Sequence, residues 1–200
     1  MSQRVLWRLL GAFISVPALL SAGTAIAGTA IAAPASAVPA AVADPVYGCP
    51  AQGTTRLPYP DDAHKVVNCT NGVATITACP NSRYWNPRLQ ICGDLSAVQP
   101  YETRTATGTA RLNLVPLQVL GLNARLTWQD GRPLGGATIT FTTTRGSTLC
   151  TAHTDGNGYA ACDSAPGVTA PVNTLLNGFE AIYKGVPTLR ASQGHGNVTL

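Results

Sequence analysis

The sequence predicts an all-β protein: a small disulfide-stapled β domain followed by a β-sandwich. Three observations point there. Short apolar runs alternate with threonine and other polar residues, as in Ala137, Ile139 and Phe141 against Thr138, Thr140 and Thr142. Turn pairs such as Asn71-Gly72, Asp130-Gly131 and Asn177-Gly178 separate the runs, and the second half shows no helical period. Six cysteines in 200 residues supply the staples that a small core requires.

The first 43 residues have a different texture. Arg4 and Arg8 open them, Leu9–Leu20 carries no charge, and no acid occurs before Asp44. Small residues follow, with cleavage motifs at Ala35-Ser36-Ala37 and Ala41-Val42-Ala43. A secretory signal peptide over residues 1–43, cleaved near 37 or 43, is the expectation. A membrane anchor is the competing reading, but Pro17, Gly23, Gly28 and the many alanines and threonines match hydrocarbon poorly. The mature protein is therefore expected to be secreted, extracellular and free of the membrane. It retains eleven basic residues against nine acidic ones, too even a balance for a nucleic-acid footprint.

Outside the reducing cytosol, an even cysteine count reads as disulfides before metal ligands. There is no C-x2-C pair and no histidine at zinc-finger spacing, so no metal site is expected. Residues 44–98 hold Cys49, Cys69, Cys79 and Cys92 among turn signals at Pro58, Pro60, Asn71-Gly72, Pro80 and Pro87. Val73–Ala78 alternates after the Asn-Gly turn and reads as one strand of a small sheet. Residues 99–109 are polar, with Pro100 and four threonines, and read as a linker.

Residues 110–200 carry longer alternations. Leu122, Ala124, Leu126 and Trp128 form one apolar set; Phe179, Ala181 and Tyr183 form another. Short strands at near-regular spacing suit a β-sandwich. Cys150 and Cys162 flank the Asp155-Gly156-Asn157-Gly158 turn and are placed to pair across one hairpin. The full set of pairings is one of 15 that six cysteines allow.

Residues 44–98 resemble the type-2 chitin-binding, or peritrophin-A, domain. The phrases are Pro58-Tyr59-Pro60-Asp61-Asp62, then His64-Lys65-Val66-Val67-Asn68-Cys69-Thr70-Asn71-Gly72, then Cys79-Pro80, closing with Tyr84-Trp85-Asn86-Pro87 and Cys92. The resemblance implies bridges Cys49–Cys69 and Cys79–Cys92. The family's second cysteine falls at Ala63 and its sixth is missing, so both halves of one bridge are absent together. Valines at 66 and 67 stand where the family often has aromatics. Residues 110–200 resemble bacterial immunoglobulin-like domains through Arg132–Phe141 and Leu149–Cys162, which implies an immunoglobulin-like β-sandwich serving as spacer, adhesin module or partner surface.

The chitin-binding resemblance implies chitin or a related N-acetylglucosamine polymer as ligand. Aromatic faces suit the C–H side of a pyranose, and amides or carboxylates suit its polar groups. Tyr84, Trp85, Asn86, Tyr59 and His64 are the candidate contacts. Tyr84 ranks ahead of Trp85, because neighbours on a strand face opposite ways and a core this small needs the tryptophan. No catalytic residues are expected: Glu102 and Glu180 are isolated, and no glycosidase carboxylate pair, nucleophile elbow or zincin motif occurs. No cofactor is implied. The leading expectation is a secreted, non-catalytic carbohydrate-binding protein. The alternative is an extracellular or cell-surface structural protein that binds a protein partner through the immunoglobulin-like half and binds no sugar.

Overall fold

Two adjacent valines organise the N-terminal half. The computed structural model describes Asp44 and residues 46–200; the leader expected over residues 1–43 lies outside them. Strands β1 (Thr54–Pro58), β2 (Lys65–Thr70) and β3 (Val73–Ala78) form an antiparallel sheet in that order. Asn71 and Gly72, with φ of 48° and 82°, make the two-residue turn between β2 and β3. Side chains alternate along β2, so Val66 and Val67 face opposite sides. Val67 packs with Cys49 and Cys69, while Val66 packs with Cys79 and Trp85. Each face of the sheet thus holds one staple, Cys49–Cys69 on one and Cys79–Cys92 on the other. A hairpin of β4 (Tyr84–Asn86) and β5 (Ile91–Gly93) places Trp85 opposite Cys92.

Ten more strands and one α-helix follow among the described residues: β6 (Thr103–Thr107), β7 (Ala110–Leu114), β8 (Leu117–Leu120), β9 (Leu122–Trp128), β10 (Thr138–Thr143), β11 (Thr148–His153), β12 (Tyr159–Cys162), α1 (Val172–Leu176), β13 (Phe179–Tyr183), β14 (Ser192–Gly196) and β15 (Val198–Thr199). One sheet runs β11-β10-β13-β14 and a second runs β12-β9-β6; β15-β7-β8 form a third. Leu122, Leu126, Ile139, Phe141, Phe179 and Ala181 share one core, each at most 0% exposed. The alternation read from the sequence is therefore the inward face of both sheets. Helix α1 interrupts the β pattern; Pro171 precedes it, Gly178 follows it, and Leu175 anchors it at 1% exposure.

Two expectations need correction. Thr103–Thr107 is a strand paired with β9, from Thr103↔Trp128 to Thr107↔Ala124, inside the stretch read as linker. Its threonines recur with period two because their hydroxyls cross to the other sheet: Thr105 Oγ1 lies 2.8 Å from Ser192 Oγ, and Thr107 donates to the His195 carbonyl at 2.6 Å. Cys150 and Cys162 do bond, but not across a hairpin. β11 pairs with β10 and β12 pairs with β9, so the Asp155–Gly158 turn carries the chain between sheets and the disulfide joins their edges. One edge of the sandwich is closed by sulfur and the other by threonine hydroxyls.

The described residues belong to one compact unit. Tyr47 lies against Gly136, whose φ of 78° already favours glycine, and a Cβ there would strike the ring. Gly48 and Gly156 approach backbone to backbone. Asp61 accepts from the Thr138 N–H at 3.0 Å and from its hydroxyl, and Arg88 stands 5.1 Å from the Tyr101 ring centroid.

Candidate functional site

Strand β4 sorts its side chains into buried and open. Trp85 is 2% exposed among Val66, Cys79 and Cys92, and its backbone N–H donates to the Ala63 carbonyl at 2.8 Å. Ala63 itself is buried. Asn86 is also buried: its Oδ1 accepts from the Arg88 and Leu89 N–H groups, and its Nδ2 donates to the Ala97 carbonyl. Both Oδ1 bonds of Asn86 shape the Pro87 turn, and one Nδ2 hydrogen ties it to Ala97. Trp85 and Asn86, both candidate sugar contacts, are thus buried in this structure, Trp85 in the packing role that ranked it behind Tyr84.

Tyr84 stands on the opposite side from Trp85 and is half-buried. Its ring lies 4.2 Å from the His64 ring, centroid to centroid, at an angle of 37°. Gly93 is its partner across the hairpin, and the space where a Gly93 side chain would project is empty. The missing side chain leaves room beside the tyrosine. His64 is held by two contacts: Nδ1 is 3.0 Å from the Arg83 carbonyl, and its N–H donates to Asp62 Oδ1 at 2.9 Å. That N–H, with the Lys65 ammonium 3.1 Å from Oδ2, holds the Asp62 carboxyl below the usual carboxylate range.

Tyr59 belongs to a different setting. It packs against the Cys49–Cys69 cluster, with Tyr47 at 6.1 Å and the Lys65 ammonium 5.5 Å from its ring. Burial pushes the neighbouring Tyr47 hydroxyl upward in pKa, with Tyr59 adding to the shift. A chain of contacts therefore runs from Tyr59 through Lys65 and Asp62 to His64 and Tyr84. Of the five candidate contacts, Tyr84 and His64 meet directly, Tyr59 joins them through Lys65 and Asp62, and Trp85 and Asn86 lie beneath.

Two other acids are engaged at the surface. Glu102 pairs with Arg190 at 2.6 Å, and Asp61 is committed to Thr138. Among the described residues, no group of three or more His, Cys, Asp or Glu side chains is placed to hold a metal ion. What sequence reasoning missed is a cleft of about 560 Å³ that Thr54, Arg56, Asn68 and Thr70 of β1 and β2 line with Gln90. Its signal was the consecutive polar residues Thr54, Thr55 and Arg56 on β1, a strand with one large aliphatic residue.

Residues 49–99 match the family model of the chitin binding Peritrophin-A domain. The match spans Cys49, Cys69, Cys79 and Cys92 and covers about a quarter of the chain. No curated protein and no solved structure matches it.

Proposed function

We propose that the chain is an exported, non-catalytic carbohydrate-binding protein whose residues 44–98 hold chitin or another N-acetylglucosamine polymer. The observation that carries this is the Tyr84 ring, in tilted contact with His64 and open on its Gly93 side, within the segment that matches a chitin-binding family. An aromatic face open to solvent receives the C–H side of a pyranose. His64 orients that face, and Asp62 and Lys65 fix His64. The three disulfides, with no free cysteine among the described residues, support an extracellular setting. Residues 110–200, an immunoglobulin-like sandwich in this reading, brace the binding face rather than trail behind a linker. The test is retention of the mature protein on insoluble chitin, cellulose and an inert resin. Selective retention on chitin that persists at high salt supports the proposal; equal retention on all three contradicts it.

A second reading has its own support. Val73, Ile76, Leu89 and Ile91 of the stapled half are exposed by 64%, 44%, 59% and 54%. Val73 and Ile76 alternate to opposite faces of β3, whereas Leu89 and Ile91 lie at the β4–β5 turn, where exposed aliphatic groups suit a protein partner better than a sugar. A stable protein partner recovered from culture supernatant, with no signal on a glycan array, would favour an interaction protein instead.

A further inference from the structure

We infer that the stapled half has a second saccharide subsite, distinct from Tyr84 and His64, in the cleft between Gln90 and the Val66 face of β1-β2-β3, and that it takes an acetamido group. This inference rests on the carbohydrate-binding reading and deepens it. Alternation makes the face. Arg56 stands opposite Asn68 and Thr54 opposite Thr70, so their side chains project together on the Val66 side, while Leu57 and Val67 project to the Cys49–Cys69 side. The cleft volume, about 560 Å³, is within the range of small-ligand pockets.

The polar valences in the cleft are specific. Asn68 Nδ2 donates to Thr77 Oγ1 at 2.8 Å and points toward the Thr75 carbonyl at 3.5 Å, which fixes the orientation of the amide. Asn68 Oδ1 has no hydrogen-bond partner among the described residues and so offers an acceptor. Arg56 uses one N–H on the Gln90 carbonyl, at 3.4 Å, and stacks 5.9 Å from the centroid of Trp85, which leaves further donors free. One acceptor and one donor on facing strands complement the N–H and C=O of a single acetamido group. Among the described residues no carboxylate lines the cleft to compete for the guanidinium.

The cleft is also shaped in advance. Gln90 has φ of 58°, an unusual conformation for a non-glycine residue, and forms one wall. It is held there by its N–H to the Asn86 carbonyl at 2.8 Å and by its side chain to the Pro87 carbonyl at 2.8 Å. The turn built on buried Asn86 thus presents the Gln90 carbonyl to Arg56.

The experiment is titration of the mature protein with the N-acetylglucosamine hexamer and with cellohexaose, read by calorimetry and by backbone amide shifts. Wild type is compared with Asn68→Ala, Arg56→Gln and Tyr84→Ala, each checked for an unchanged thermal midpoint. Asn68→Ala serves as the second variant in case the loss of Arg56 loosens Trp85. The inference expects Asn68→Ala and Arg56→Gln each to weaken hexamer binding about threefold to tenfold, the range of one hydrogen bond. Amide shifts at Asn68, Thr70 and Gln90 should accompany binding. Hexamer binding weakened by Tyr84→Ala but untouched by both cleft variants overturns the subsite and leaves the proposed function standing. Equal affinity for cellohexaose overturns the acetamido assignment. No hexamer binding by wild type overturns the proposed function and the subsite together.

Discussion

The hydroxyl of Tyr183, at the core of the sandwich, donates to the carbonyl of Pro60 in the stapled half at 2.6 Å. Tyr183 is 2% exposed, and burial drives its pKa far above the ordinary tyrosine value, so this donor stays protonated throughout the physiological range. The bond fixes the Pro60-Asp61 turn on the sandwich, and Asp61 adds two bonds to Thr138. The same turn leads directly into Asp62 and His64. The sandwich therefore helps to position the candidate sugar face.

Replacing Tyr183 by Phe strands a buried carbonyl while keeping the ring. Such a loss costs about 1–3 kcal/mol. Chemical denaturation of Tyr183→Phe should show a drop of that size, and the Asp62 and His64 amides should shift although both lie in the other half. An unchanged midpoint would show that the contact does not couple the halves.

The Cys150–Cys162 bond ties the edges of two sheets across a sequence separation of 12 residues. Closing a loop of that length stabilises by roughly 3 kcal/mol in the chain-entropy description. A Cys150→Ala, Cys162→Ala double variant should lose about that much stability, with β11 and β12 showing the largest rise in amide exchange. Exchange that rises uniformly over all strands would contradict the edge-tie role.

Asp62 gives a pH dependence of defined sign. Its folded pKa is depressed by the His64 N–H and by Lys65. The stabilisation it lends is complete above the unfolded aspartate value of about 3.9 and is lost as pH falls through the lower folded value. Carboxyl shifts followed by NMR should place the Asp62 titration below that of a free aspartate, with the His64 amide following the same curve. A midpoint at or above about 3.9 would remove Asp62 as the brace of the histidine.

Much of this fold was legible because inward faces alternate. Leu122, Leu126 and Trp128 on one sheet, and Ile139 and Phe141 on the other, are visible as period-two apolar runs and are buried as such. Strand β6 was not, because its period-two residues are threonines whose hydroxyls bond to a strand distant in sequence. Pairing between strands is likewise a non-local property, and the Asp155–Gly158 turn has the same residues whether it closes a hairpin or passes between sheets. At the site, alternation correctly separated Tyr84 from Trp85. It could not show that Asn86 is consumed by its own turn, which depends on bonds to Arg88, Leu89 and Ala97. Nor could it show that Gly136 makes room for Tyr47 from the other half.

The central claim is that the open ring of Tyr84 receives a sugar, and a depletion isotherm on insoluble chitin tests it most directly. The comparison is wild type against Tyr84→Ala, at low and high salt, with thermal midpoints matched. The account predicts saturable binding by wild type, little change with salt, and a loss of about threefold or more in Tyr84→Ala, the scale of one aromatic contact. A folded Tyr84→Ala that binds chitin as tightly as wild type, or a wild type that does not bind at all, would contradict it.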